Sequence, residues 1–173
     1  MPITFYDAVV PSSLQVLRAL DDVLEKAATF CAQQGRAEAD LIDARLAPDM
    51  FPLGYQVKSC AVHSVGGIEG TERGSFSPDR SEWPTHFAGL RALVGKATAD
   101  LEALDPTAID ALADADTRFV AGEMNLQFRG ADFLLSFSQP NFYFHAAIAY
   151  AILRAEGVPL GKRDFLGRPR VKQ

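Results

Sequence analysis

The sequence is poor in cysteine, in histidine and in uninterrupted apolar runs, and each shortage excludes a class of protein. Its two cysteines, Cys31 and Cys60, stand alone on stretches that read as helices. They are too few and too far apart for a disulfide framework or a cysteine-based zinc site. No apolar run approaches the roughly 20 residues that a membrane-spanning helix needs. The opening MPITFYDAVVPSS has neither a basic start nor a long apolar stretch, so no secretory signal is expected and the cytoplasm is the expected compartment. Phosphate loops, dinucleotide fingerprints, HExxH and GxSxG are all missing. No ExxH pair occurs, which excludes a di-iron carboxylate site of the kind built in helix bundles.

What is present is an ordinary globular composition. In 173 residues, 48% are hydrophobic and 23% charged, too apolar for a disordered chain and sized for one domain over residues 1–173. The net charge of −5 is uneven. Residues 162–173 hold five basic side chains against Asp164, a surplus of +4, which leaves −9 on the rest. An acidic body argues against nucleic-acid binding. The short basic end reads as a solvated terminus or a strap over that body.

Periodicity predicts a mainly α protein with four long amphipathic helices. The first covers roughly 4–34: Val10, Leu14, Leu17, Leu20 or Asp21, Leu24, Ala28 and Cys31 step by three or four. Thr4 and Asp7 have capping-box spacing, Gly35 suits a stop, and Pro11 predicts a kink or a fresh start. A short helix after Asp40 carries Leu41, Ile42 and Leu46. The second long helix is expected over 53–68 with Val57, Cys60, Val65 and Ile68 inward, followed by a polar loop over 71–80. The third starts near Pro84, with Trp83, Phe87, Leu90, Val94, Ala97, Leu101 and Leu104 in heptad steps. The fourth runs over about 140–156, its stripe drawn through Phe144, Ile148, Ile152 and Ala155, with Gly157 as its stop. Between the third and fourth, Gly122-Glu123 joins alternating runs and predicts a β-hairpin with a type II′ turn, Phe119 facing Leu126 and Ala121 facing Met124. Asp132 is placed to cap a short helical turn after the hairpin. Residues 157–173 read as an extended tail. The long connections favour a four-helix bundle with a crossover.

Few residues carry chemistry. His145 shares a helix face with Ile148, Ala149 and Ile152 and so points inward. His63 flanks the second-helix stripe. His86 lies near the start of the third helix, off its stripe. If His63 and His145 meet inside the bundle, they supply two ligands for a zinc or nickel ion, which usually wants three from the protein. Glu69 and Glu72 are oxygen candidates nearer the loop. The plainer alternative is a pair of neutral core histidines bonded to Tyr, Ser or backbone groups. Gly66, Gly67 and Gly70 share the His63 face at helical spacing. Each costs about 1 kcal/mol against alanine in a helix, so they point either to a close helix–helix approach or to ligand space. Tyr143 and His145, with His63, then line an apolar pocket opened by those glycines. Cys60, one turn before His63, reads as inert core.

The segments Pro140–Arg154 (PNFYFHAAIAYAILR) and Gly157–Gly167 (GVPLGKRDFLG) resemble a family of uncharacterised proteins within the DinB/YfiT-like superfamily. The resemblance covers nearly the whole chain. It implies an up-down-down-up four-helix bundle with a long crossover, and frequent homodimers. It also implies kinship with metal-dependent transferases and isomerases that act with low-molecular-weight thiols. Their metal is held by one histidine on helix two and an HxxxH pair on helix four. His63 fits the first position, His145 the first of the pair, and Ala149 occupies the second. The expectation is therefore a small-molecule-binding bundle with an incomplete metal site and no cofactor, with no nucleic-acid or membrane partner. A metal-dependent transferase, or a structural dimerisation module, stands as the alternative.

Overall fold

The structure is a computed structural model and describes residues 2–172. Helix α1 spans Phe5–Gln34. Its start is fixed by a reciprocal capping box: Thr4 Oγ1 accepts from the Asp7 N–H at 3.0 Å, and the Asp7 carboxylate accepts from the Thr4 N–H at 3.3 Å. Its end is fixed by Gly35 in the left-handed region at φ 61°. Of the two outcomes expected at Pro11, the fresh start does not occur, because the helix is continuous through it. The carbonyl that loses its donor there belongs to Asp7, an exposed residue in the first turn. The buried face is wider than one stripe, with Val9 beside Val10, Val16 beside Leu17 and Val23 beside Leu24. The reason is that α1 has several neighbours rather than one.

Short α2 (Glu38–Ile42) buries Leu41 and Ile42. The expected second helix is two helices. α3 covers Leu53–His63 and α4 covers Val65–Glu72, and Ser64 between them has φ −97° and ψ −92°, outside helical geometry. The polar loop expected over 71–80 is corrected in part, because Thr71 and Glu72 are helical and Ser75–Phe76 form strand β1. Helix α5 (Phe87–Glu102) starts three residues after Pro84, with His86 as its N-cap: Nδ1 accepts from the Gly89 N–H at 2.8 Å. Its buried residues are Phe87, Leu90, Val94, Ala97 and Leu101, the expected heptad series.

Helix α6 (Pro106–Ala111), unexpected from the sequence, is capped by Asp105 and followed by a 3-10 turn at Leu112–Asp114. The hairpin is present. β2 (Asp116–Ala121) pairs antiparallel with β3 (Met124–Arg129), and Phe119 faces Leu126 while Ala121 faces Met124. Gly122 has φ 59° and Glu123 does not enter positive φ, as a type II′ turn requires. β1 adds parallel to β2, giving a three-stranded sheet in the order β1-β2-β3.

The chain then stays helical from Gly130 to Ala155. α7 (Gly130–Asp132) leads into a π-helical turn over Phe133–Ser138, and α8 covers Gln139–Ala155. Asp132 caps nothing with its side chain. Pro140 has no N–H to offer in α8's first turn. At the two ends of the wide turn side chains donate to carbonyls, Ser136 Oγ to Asp132 O and Asn141 Nδ2 to Phe137 O. The α8 stripe is corrected: Phe142, His145, Ala146, Ala149, Ile152 and Leu153 are buried, whereas Phe144 is 54% exposed. The C-terminal segment is not wholly extended. Val158 and Leu160 are buried, and α9 (Lys162–Leu166) lies on α1, where Lys26 pairs with Asp164 and Gln15 Nε2 donates to Leu166 O at 2.8 Å.

Around one core, α3 packs on α8 and α1 on α5, and contacts of α3 with α5 and of α1 with α8 close the ring. No helix among the described residues is long and apolar enough to cross a membrane.

Candidate functional site

His63 ends α3, and His145 sits in the second turn of α8, the helix that packs most closely on α3. The structure brings the two together: their rings stack with centroids 5.7 Å apart and planes 16° apart. His145 is 9% exposed, and His63 is half-buried. Aromatic side chains wall the pair. Tyr55 meets His145 edge-on at 5.9 Å and Phe144 does so at 5.3 Å, while Phe76 lies 5.4 Å and Phe137 6.1 Å from His63. The sheet serves this wall. β1 places Phe76 beside β2, and a Cβ on Gly70 would come within 2.9 Å of the Phe76 Cβ, so a glycine is needed for that approach.

The hydrogen bonds of each imidazole determine its protonation pattern. His145 Nδ1 lies 2.7 Å from Gln56 Oε1. Gln56 Nε2 donates to the Phe51 carbonyl at 2.9 Å. A carbonyl only accepts, so the amide nitrogen must face Phe51 and the amide oxygen must face His145. His145 therefore carries its proton on Nδ1 and a lone pair on Nε2. Ser138, at the end of the π turn, spends its hydroxyl proton on the His63 carbonyl at 2.9 Å, and its oxygen stands 3.5 Å from His63 Nδ1. Burial, and then the neighbouring His145, lower the His63 pKa to about 4, and burial lowers that of His145 to about 4 as well. Both rings are neutral at pH 7. Among the described residues, Thr117 Oγ1 is the one side-chain nitrogen or oxygen sealed from solvent without a partner. Among the described residues neither Nε2 makes a hydrogen bond, and neither is sealed from solvent.

The other expected site residues divide. A Cβ on Gly67 would overlap the Ser138 hydroxyl and come 3.4 Å from Leu134 Cδ2, so Gly67 permits a close approach between α4 and the π turn. A Cβ on Gly66 would meet only the Ala61 carbonyl oxygen, at an ordinary contact distance of 3.8 Å. Gly66 lines a separate surface hollow of about 280 Å³ with Lys58, Glu69 and Arg73, and neither histidine lines that hollow. Helical spacing does not carry across the break at Ser64, yet Gly67 and Gly70 still abut Ser138 and Phe76, the neighbours of His63, whereas Gly66 does not. Tyr143 lies two residues, roughly 200° around α8, from His145 and packs its ring on Phe142. A larger groove of about 650 Å³ runs between α1, α5 and the C-terminal segment, edged by Arg18, Glu102, Arg168 and Arg170, and it too is apart from the histidines.

The residues that position the pair, Gln56 and Ser138, were not identified from the sequence. Gln56 left a signal, being a polar residue one turn from both Leu53 and Cys60 on a buried stripe. Metal donors are scarce. Among the described residues no group of three or more His, Cys, Asp and Glu side chains stands ready to hold an ion. Ala149, one turn beyond His145, is fully buried and offers no donor. Glu69 is exposed and faces Arg73 at 3.6 Å. Cys60 Sγ donates to the Gln56 carbonyl, and burial pushes its thiol pKa up, away from the thiolate that ligates metals. Two neutral imidazoles do not fit a tightly held zinc or nickel ion.

A helical ring with a small appended sheet and one histidine on each of two facing helices is the arrangement that the sequence comparisons bear on. The chain belongs to the family described as Domain of unknown function (DUF1993), which it matches over residues 5–166. It is similar to the crystal structure of a DinB family member protein from Shewanella denitrificans, with 28% identity and a TM-score of 0.81, over 97% of this chain and 94% of that one. Comparison with curated proteins returned no match.

Proposed function

We propose that this chain is a small-molecule-binding protein, built as an up-down-down-up four-helix bundle, whose binding site is the His63–His145 pair. In this reading the pair is a metal site that has lost its third ligand at Ala149 and works as an organic-ligand site. One observation carries it: two neutral imidazoles, stacked 5.7 Å apart, keep Nε2 lone pairs that are not sealed from solvent, inside an aromatic wall. An apolar enclosure with a few convergent polar atoms is the usual make-up of a small-molecule site. Exposed Phe51 and Phe144 extend that wall to the surface, Phe51 by stacking on Tyr55 at 4.0 Å.

The test is a titration of ¹⁵N-histidine-labelled protein with indole, followed through the ring nitrogens. Saturable shifts at His63 and His145, and none at exposed His86, are expected. If indole leaves both buried rings unmoved, the pair is core packing and the proposal fails. Stoichiometric zinc or nickel in protein purified without a histidine tag or added metal would turn the reading to a metal-dependent transferase.

A further inference from the structure

Resting on that reading, we infer that the site selects uncharged ligands that present a hydrogen-bond donor on an aromatic ring, of which a phenol is the simplest, and that Gln56 is the positioning residue that sets this selectivity. The Phe51 carbonyl can only accept, so it fixes the orientation of the Gln56 amide. The amide oxygen can only accept, so it fixes the proton of His145 on Nδ1. What remains on the ligand side is an acceptor. His63 repeats the pattern more loosely, because Ser138 has committed its proton to the His63 carbonyl and offers Nδ1 only an oxygen. Both imidazoles thus turn lone pairs toward the ligand, and the surrounding Tyr55, Phe76, Phe137 and Phe144 rings supply apolar area and no formal charge. A carboxylate brought here meets lone pairs and loses hydration without gaining a donor. The nearest cation described on α3, Lys58, is occupied: its ammonium donates to the Asp79 and Ser81 carbonyls and faces the Asp79 carboxylate at 3.7 Å. A ring that carries O–H matches the acceptor and the aromatic wall together.

The experiment compares phenol, anisole and benzoate at pH 7 by titration of the labelled protein. Phenol should bind about three- to tenfold more tightly than anisole, the range that one net hydrogen bond supplies, and benzoate should bind most weakly. The free protein should show His145 with a protonated Nδ1 and an unprotonated Nε2 in its long-range ¹H–¹⁵N spectrum. Gln56→Leu should shift His145 toward the other tautomer and reduce the phenol preference toward that of anisole, while binding of anisole itself changes little. If phenol and anisole bind equally, or His145 carries its proton on Nε2 in the parent, the selectivity inference is overturned and the binding site stands. If none of the three moves either ring, the site itself is refuted. Should Gln56→Leu fail to fold, the parent's tautomer and its phenol-to-anisole ratio still decide the question.

Discussion

Adjacent glycines in α4 should respond to the same substitution with opposite sign. Gly66→Ala adds a methyl group that meets only the Ala61 carbonyl oxygen at 3.8 Å, an unstrained contact, at a helical position with negative φ. It gains the helix-propensity difference and stiffens the unfolded chain, a stabilisation of about 0.4–1 kcal/mol. Gly67→Ala gains the same propensity but drives its methyl into the Ser138 hydroxyl and to 3.3 Å from the Ser138 Cβ. The hydroxyl can rotate away, but the His63 carbonyl then loses its donor, which removes about 0.5–1.5 kcal/mol. The Cβ–Cβ crowding stays and separates α4 from the π turn, and overpacking of this kind costs about 1–3 kcal/mol. Set against the propensity gain, Gly67→Ala should be destabilising by about 1–3 kcal/mol. Urea melts of the two variants and the parent measure both signs. Stabilisation by both changes would show that α4 does not approach Ser138 as described. Destabilisation by both would show that Gly66 is packed rather than open.

Four further outcomes are expected. Acidification should weaken folding through the histidines: both pKa values fall to about 4 in the native state from 6.5, so the unfolded chain binds more protons between those limits. Their stabilisation is complete above pH 6.5 and is lost as pH falls toward 4. Urea melts at pH 7, 6 and 5 should give a shallower dependence for His145→Gln than for the parent, and an unchanged slope would contradict the neutral-pair assignment. Leu90→Ala, at a fully buried position of α5, should cost about 2–5 kcal/mol, and a loss under half a kcal/mol would mean that the helix face is misassigned. Lys58→Met should release the 79–81 segment from α3, costing about 1–3 kcal/mol through the lost charge-assisted bonds and speeding tryptic cleavage after Arg80; unchanged cleavage would refute the anchoring role. Ala149→His places a third imidazole on the His145 face at a site with no spare room. It should therefore lower stability by about 1–3 kcal/mol without metal and recover part of that with zinc. Equal zinc binding by the parent would show that two ligands suffice.

Where local chemistry decides the structure, the sequence was readable. Thr4, Asp7 and Gly35 mark α1 because capping satisfies specific backbone groups, and Gly122-Glu123 sets the hairpin register because a two-residue turn leaves little choice. The approach of His63 to His145 was readable too, since each lies at or beside the inward face of its helix. Tertiary packing decided the rest. Nothing in Val62-His63-Ser64-Val65 signals a helix break; the break lies beside the His63 carbonyl, which is engaged by Ser138, 75 residues later in the chain. Phe144 was assigned inward on hydrophobicity, but the helix turns it toward the surface beside His145. β1 is two residues long, too short for alternation to show. Of the glycines expected on the His63 face, Gly67 and Gly70 meet its neighbours Ser138 and Phe76 and Gly66 does not, because spacing arguments hold only within one unbroken helix and this one breaks at Ser64.

The candidate site follows the same division. Which histidines meet is a matter of helix faces, but what they can do depends on Gln56, whose importance lies in a chain of obligate roles: a carbonyl that accepts, an amide held in one orientation, and an imidazole left with one tautomer. In a completed metal site, such an imidazole would commit its Nε2 lone pair to the ion, and its Nδ1 partner would serve to orient the ligand. On the proposed reading, Ala149 leaves the third ligand position without a donor while the bond to Gln56 remains, and the lone pair that would serve a metal accepts a proton donor instead.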